Sequence, residues 1–424
     1  MRYLQPYILE DLKKKMVFLG GPRQCGKTTL AMSLNPARHF NWDADEDRAA
    51  ILKKQWTHDD KLIVFDELHK YPKWKNWIKG VYDTQKKQHR LLVTGSARLD
   101  VYRRGGDPLM GRYHYWRLHP FTLSELPKGM NAKQASKCLL EVGGFPEPFL
   151  DLDPRQARRW RLERIDRVLK DDVRDLEGVR NIQQLSLFVD QLRTRVGQLC
   201  VLSNIATDIQ ITPATAAKWL EVLERMYLIF VVRPLTKNLP RAVQKPPEVF
   251  FFDNADVIGD EGARFENLVA THRLKTIQFL QDRDGYRYEL RYIRDKEGRE
   301  VDFAVVRDGK LIEIVEAKWS DHNVSKSLQY YSEKLRPARS RQIVGELEKP
   351  YDRGPIQVRS AIDAPDLPNR SGCFLAETPF LQFCVRGAQA NEESLRPCEI
   401  ARDFVRTQTP QYFGGLTVRN LLTW

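Results

Sequence analysis

From residue 16 to about 126 the chain alternates short, uninterrupted apolar runs with segments of helical spacing. "MVFLG", "LIVF" and "LLV" are too short for helices and carry no polar alternation, so they read as parallel strands buried on both faces. Between them, "TTLAMSL" reads as a helix, "RHFNWDADEDRAAIL" as a strand followed by a helix, and "YPKWKNWIKGVYDTQKK" as another helix. In this last segment Trp74, Trp77, Ile78 and Val81 recur at i, i+3, i+4 and i+7, which is a core face. "YHYWRLHPFTLSEL" reads as the strand that closes the sheet. From about residue 181 the period lengthens to that of three amphipathic helices with tight polar breaks. In the last of them Thr212 is the expected cap and Pro213 the first helical residue. "LIFVVRPL" would begin a wing. A strand and helix in "FFFDNADVIGDEGARFENLVATHRL" and a strand, hairpin and strand in "YELRYIRDKEGREVDFAVVRDGKLIEIVEAKWS" follow, and past Tyr351 little clean periodicity is left.

This order predicts an α/β domain with a parallel sheet over residues 1–128, a helical and winged-helix domain over 129–245, a second α/β domain over 246–350 and an unassigned tail over 351–424. A chain of 424 residues exceeds one ordinary core, so several domains are expected. Composition changes this picture little: 42% hydrophobic and 29% charged residues suit a globular chain, and no apolar run approaches the ~20 residues of a membrane span. With no leader-like segment at the amino terminus, a cytoplasmic protein is expected. Six cysteines without paired spacing argue against structural zinc. The net charge of +13 favours a polyanionic partner, nucleic acid included, although much of the arginine lies in mixed-sign stretches such as "RQARRWRLERIDRVLKDDVRD" that suit a solvated helix face.

The chemistry concentrates after the first strand. "GPRQCGKT", comprising Gly21, Pro22, Arg23, Gln24, Cys25, Gly26, Lys27 and Thr28, fits G-x4-G-K-[ST] between a strand and a helix, with Thr29 next in that helix. Backbone N–H groups of such a loop surround phosphate oxygens, Lys27 would meet the outer phosphates, and Thr28 would offer its hydroxyl to Mg2+. ATP and Mg2+ are therefore the expected cofactors. The strand "LIVF" ends in Asp66 and Glu67, where a metal-binding carboxylate and a water-polarising one belong. Thr94 and Ser96 end the next strand, placed to sense a γ-phosphate. Arg112 would either reach that phosphate or pair with an acidic neighbour. The carboxylates Asp43, Asp45, Glu46 and Asp47 read as the acidic start of a helix rather than a metal cluster.

Taken in order, "GPRQCGKTTL", "IVFDELHK", "LLVTGSAR", "GRYHYWRLHPFTLSEL" and "GGFPEPFL" resemble the prokaryotic AAA-type ATPases, akin to signal-transduction ATPases, that carry a carboxy-terminal domain of unknown function with a restriction-endonuclease-like fold. The resemblance covers roughly residues 1 to 350. It implies ATP hydrolysis, and it implies that Gly143, Gly144, Phe145 and Pro146 help to enclose the nucleotide, in keeping with a rigid turn of close backbone approach.

Glu266 on the predicted helix, Asp302 after the turn "DKEGRE", and Glu316 and Lys318 at the end of "LIEIVEAK" resemble the Glu, Asp, Glu-x-Lys set of PD-(D/E)xK nucleases. There, two carboxylates hold Mg2+ and the lysine assists the attacking water. The same residues would also make an ordinary ion pair on a binding scaffold. The helix-turn-helix pattern leaves two readings open as well: a DNA-docking face with Thr215 and Lys218, or a lid on the nucleotide domain. The leading expectation is an ATP-driven switch coupled to a nuclease-like domain. The alternatives are a Mg2+-dependent nuclease with a regulatory P-loop and a DNA-binding regulator without catalysis.

Overall fold

The computed structural model describes residues 2–95, 109–126, 130–173, 181–236, 245–320 and 323–362. The first sheet has five parallel strands, β1 (Met16–Gly20), β2 (Arg38–Asn41), β3 (Leu62–Asp66), β4 (Arg90–Thr94) and β5 (Tyr113–Arg117), in the order β2-β3-β4-β1-β5. Alternation along β1 sorts its side chains onto two cores. Val17 and Leu19 face α1 (Gln5–Asp11) and α2 (Lys27–Met32) through Leu4, Ile8, Leu30 and Ala31. Met16 and Phe18 face the helix Trp74–Gln85, named α4, through Trp74, Ile78 and Val81; α3 (Asp45–Lys53) adds Ile51 to the same side. Trp77 of the expected core face is only partly buried, packed edge-on against Phe65. With helices on both faces, the uninterrupted apolar runs are accounted for.

One expectation needs correction here. The closing strand does not run through residue 126. β5 ends at Arg117, Leu118 N–H donates one more ladder bond to Gly20 O, and Pro120 has no N–H with which to continue. The acidic stretch does begin a helix: Asp45, Glu46 and Asp47 occupy the first turn of α3, and Asp43 pairs with Lys70 at 2.5 Å.

Next come α5 (Ala132–Glu141), α6 (Pro146–Asp151) and α7 (Pro154–Arg167), then α8 (Ile182–Arg193), α9 (Leu202–Asp208) and α10 (Pro213–Arg225). Thr212 caps α10 by accepting from Thr215 N–H, with Pro213 at the first turn. The strand after it, β6 (Ile229–Pro234), pairs antiparallel with β7 (Glu248–Phe251), and Leu199 bridges to Glu248.

The second sheet has eight strands in the order β12-β13-β11-β10-β9-β8-β6-β7. Its remaining members are β8 (Tyr288–Arg294), β9 (Glu300–Arg307), β10 (Lys310–Lys318), β11 (Arg339–Val344), β12 (Tyr351–Arg353) and β13 (Ile356–Ser360). The helix α12 (Lys326–Leu335) makes the crossover between the parallel strands β10 and β11. Arg233 and Pro234 of β6 pair with β8, so the middle segment and the carboxy-terminal segment share one sheet across residue 245. The sheet also runs past Tyr351. Ile356, Val358 and Ser360 are buried while Gln357 and Arg359 are partly exposed, an alternation too short to stand out beside the Gly354 turn.

α11 (Glu261–Asp284) joins the two halves. Most of its 24 residues are buried, including His272, Arg273 and Lys275, because both sheets use it as a wall. Buried charge needs partners. Lys275 Nζ donates to Glu125 Oε2 at 2.8 Å and Thr122 Oγ1 at 3.1 Å, and Arg117 meets Asp282 at 2.5 Å. His119 lies 2.8 Å from Gln278 Oε1. Among the described residues, no helix is long and apolar enough to cross a membrane.

Candidate functional site

The loop after β1 owes its shape to its glycines. Gly21 has φ of 146° and a Cβ there would strike Leu118 O, while Gly26 has φ of 89° and leads into α2. Gln24 is also left-handed, with φ of 60°. Lys27 Nζ donates to Pro22 O at 2.6 Å and Gly21 O at 3.2 Å, carbonyls for which triphosphate oxygens would be stronger acceptors. Thr28 and Thr29 are exposed at the start of the helix, Arg23 is partly exposed, and Cys25 is buried with its thiol toward Leu118 O.

Thr28 Oγ1 donates to Asp66 Oδ2 at 2.5 Å, Thr94 Oγ1 donates to the other oxygen, and His39 Nε2 stands 3.6 Å away. Burial alone would raise the Asp66 carboxyl. The contacts with His39, Thr28 and Thr94 outweigh burial and hold it at about 2. An ionised carboxylate beside a hydroxyl is the donor set that Mg2+ takes with phosphate oxygens. Glu67, the next residue, has φ of 54°, a left-handed conformation that is uncommon for a non-glycine residue and that recurs at functional positions. Its carboxylate lies 3.6 Å from Lys70 Nζ and 3.8 Å from His69 Nε2, whose pKa burial lowers.

Pro146 reaches this loop: its Cγ lies 3.7 Å from where a Gly26 Cβ would sit. Phe145 is fully buried between the loop's core and Trp160, and Gly144 approaches Phe121 O so closely that a Cβ would stand 2.6 Å from it. Arg2 had no signal in the sequence. It donates to Cys25 O at 2.9 Å, His119 O at 2.5 Å and Glu125 Oε1 at 2.6 Å, bracing the loop from the side.

Arg112 is not at the phosphate end. It precedes β5, whose Tyr113 pairs with Met16 at the start of β1, so a whole strand separates it from the loop. There it pairs through both nitrogens with Asp83, at 2.8 and 3.1 Å. The pairing alternative holds, and reach to this chain's own γ-phosphate site does not. Ser96 lies outside the described residues; Thr94 is the polar residue seen at the end of β4.

The second group assembles on β9, β10 and α11. Alternation puts Glu316 and Lys318 on one face, with Lys318 Nζ 2.9 Å from Glu316 Oε1. Asp302 Oδ2 accepts from Ala317 N–H at 2.7 Å. Glu266 fits against Gly197, where any Cβ would meet its carboxylate. Glu248 of β7 joins them, buried, and among the described residues neither of its oxygens has a hydrogen-bond partner by geometry. Burial, then repulsion from Glu266, Glu300 and Asp302, pushes it up to about 10. Burial also raises Glu266, Asp302 and Glu316, with mutual repulsion adding to the first two. Burial would lower Lys318, but Glu316 and Asp302 outweigh it and raise the ammonium. A cation or shared protons would relieve this crowding. Yet one oxygen of Asp302 serves a backbone N–H, one of Glu316 serves Lys318, and among the described residues no three His, Cys, Asp or Glu side chains are grouped as metal ligands.

On α10, Lys218 is exposed. Thr215 is half-buried with its hydroxyl 2.9 Å from that of Thr212, and Arg225 lies 3.6 Å from Glu221.

Residues 13–127 match a family model described as an AAA domain, residues 133–255 a domain of unknown function (DUF8612), and residues 261–361 a domain of unknown function (DUF4143). The first match and the P-loop support an AAA-type ATPase. Uncharacterized proteins of Mycobacterium tuberculosis and Mycobacterium bovis are each 25% identical over 244 residues, which is 56% of this chain and 54% of theirs. The chain thus spans about half the length of the curated relatives it matches. Among solved structures, the Aeropyrum pernix ORC1 protein in complex with DNA is 13% identical over 63% of this chain and 90% of that one, with a TM-score of 0.30. C. elegans PCH-2 is 11% identical over 52% and 66%, with a TM-score of 0.21. Scores this low leave the fold to the chain's own sheet order and loop.

Proposed function

We propose that this chain is an ATP-hydrolysing switch in which α11 relays the state of the P-loop to a nuclease-like second site. One observation carries the proposal. Cys25 O of the P-loop is held by Arg2, Arg2 by Glu125, and Glu125 by Lys275 of α11, nine residues along the same helix from Glu266. At 1.5 Å per residue that is roughly 14 Å of rigid rod. In this reading Lys27 binds the outer phosphates, Thr28 and Asp66 hold Mg2+, and Glu67 orients the attacking water. Gly143 to Pro146 close the loop from one side. The Mg2+ bound there would neutralise charge on the transferring phosphoryl group.

The crossover after β10 and the Glu266, Asp302, Glu316 and Lys318 constellation support a PD-(D/E)xK-like scaffold for the last domain. The three helices, the Leu199 bridge and the β6–β7 hairpin support a winged helix in the middle. That hairpin is built into the large sheet, which favours an integral, lid-like role over free DNA docking. One oxygen of Asp302 already accepts from Ala317 N–H and one of Glu316 from Lys318, which favours a scaffold that binds over one that cleaves.

Hydrogen exchange of the full chain with ADP and with a non-hydrolysable ATP analogue tests the relay. Protection in α11 and β10 should differ between the two nucleotides, and Lys275→Met should erase the difference while ATP still binds. Identical exchange with both nucleotides in the unaltered protein would refute it.

A further inference from the structure

A cleft of about 1110 Å3 lies away from the P-loop. It opens between α5 and α7 on one side and the start of α11, Trp319 and the segment after β11 on the other. Small-molecule sites run to ~300–1,000 Å3, so this space suits a chain of several linked units.

Its two sides differ in charge. On α5, Ala135 and Leu139 turn into the core, which leaves Lys133 and Lys137, one turn apart, on the cleft side. On α7, Ala157, Trp160 and Arg164 are buried and Arg158 lines the cleft. Lys133, Lys137 and Arg158 are exposed and have no carboxylate partner within ion-pair distance among the described residues; neither has Arg264 at the head of α11. Arg161, beside them, is engaged with Asp253 and Asp256. The opposite side is acidic, with Glu346 and Glu348 following β11 and Glu261 opening α11, and Glu141 closes the end of α5. Between the sides stands Trp319, partly buried, its ring edge-on to Phe265 at 5.6 Å and packed over Gly345.

The geometry points to a binding cleft for single-stranded nucleic acid. Phosphates would lie along Lys133, Lys137 and Arg158, a base would stack at Trp319, and exocyclic amino groups would donate to the glutamates opposite. A single strand has this asymmetry, with charge on one side and donor-bearing bases on the other. A duplex presents phosphates on both sides and would set one backbone against Glu346 and Glu348. An acidic polypeptide has no bases for Trp319 and would meet the same repulsion. Trp319 and Phe265 directly follow or precede Lys318 and Glu266 in the sequence, so a strand held here lies beside the second site. The inference shares with the proposed function only the nuclease-like reading of that site. Its test reads binding, without ATP and in EDTA, so failure here leaves the nucleotide-dependent exchange unaffected.

Fluorescence anisotropy of the full chain with a labelled 12-nucleotide oligo(dT), a labelled mixed-sequence 12-mer, the corresponding duplex, and polyglutamate as competitor decides the matter. The single strands should bind more tightly than the duplex and resist polyglutamate, and the mixed-sequence strand should bind more tightly than oligo(dT), which has no exocyclic amino group. Lys137→Glu combined with Arg158→Glu should weaken binding at least tenfold without lowering the melting temperature. The same pair should flatten the slope of log affinity against log salt by about 1.4, since each phosphate contact on a single strand contributes about 0.7. Trp319→Leu should weaken binding by about 5- to 160-fold, from ~1–3 kcal/mol per stacked base, and Lys27→Ala should leave it unchanged. No binding at low salt, a duplex bound as tightly as the strands, effective competition by polyglutamate, or indifference to the Lys137 and Arg158 changes would each overturn the inference.

Discussion

Arg164→Leu probes the joint between the nucleotide loop and the second half of the chain. Arg164 is 3% exposed, donates to Asp256, lies 3.8 Å from Asp253, and stacks over the rings of Phe145 at 4.5 Å and Trp160 at 5.5 Å. Removing one partner of a buried ion pair costs ~3–5 kcal/mol, because the remaining charge is stranded. Arg161 stays 3.7 Å from Asp256 and 3.8 Å from Asp253, so the ion-pair loss belongs near the lower figure of ~3 kcal/mol. Two lost ring contacts add ~1 kcal/mol after the leucine recovers some packing. A total near 4 kcal/mol should appear as a clear fall in the urea midpoint by tryptophan fluorescence at pH 7.5. The deficit should depend on pH. Burial and Asp256 already raise Asp253 above the ordinary carboxyl range, while Arg164 and Arg161 lower it, so losing Arg164 raises it further. A carboxyl raised in the folded state binds protons there that the unfolded chain has released. Folding therefore gains stability as pH falls through the folded pKa, and the deficit should shrink between pH 8 and pH 5. Asp256→Asn added to Arg164→Leu should recover part of the loss, since it removes one of the stranded charges. An unchanged midpoint at pH 7.5, or a deficit that is the same at every pH, would refute the reasoning.

Lys27→Ala should weaken ATP binding at least about 10-fold by calorimetry without unfolding the chain, since each hydrogen bond from a charged group contributes ~1.5–3 kcal/mol. Glu67→Gln should bind ATP normally and turn over ~10²–10⁴-fold more slowly in single-turnover assays, the range for a lost general base; wild-type turnover would move that role elsewhere. Gly143→Ala should lower the thermal midpoint, because φ is 86° there and a Cβ would collide with the Asp253 carboxylate. Asp66, held at about 2 against 3.8 when unfolded, contributes stability that is present above 3.8 and lost as pH falls through 2. That is roughly 2 kcal/mol, to be read as the difference in acid unfolding between wild type and Asp66→Asn.

The nucleotide half was legible because its signals are local. "GPRQCGKT" specifies a turn whose φ values only glycine tolerates easily at Gly21 and Gly26, and the apolar runs on either side specify buried parallel strands. Arg112 was half legible: the ion pair was one of two readings, and which one held depended on the direction of β5, a property of sheet order that the motif "GRYHYW" does not encode. The strand drawn through residue 126 failed at Pro120, where turn chemistry overrode an apolar pattern.

What stayed hidden is non-local. Arg2 matters through partners 23, 117 and 123 residues away, and two residues at a chain end carry no period from which that could be read. Glu248 and Gly197 join Glu266 only because β7 and the turn before Leu199 fold against α11. Periodicity describes how each element faces its own core, so it located Glu316 and Lys318 on one face of a strand. It could not count the carboxylates that other elements bring to that face. That count changes the chemistry: Glu266, Asp302, Glu316 and Lys318 already carry a formal excess of negative charge, and Glu248 against the same group deepens it, so the four acids around one lysine call for protons or a cation.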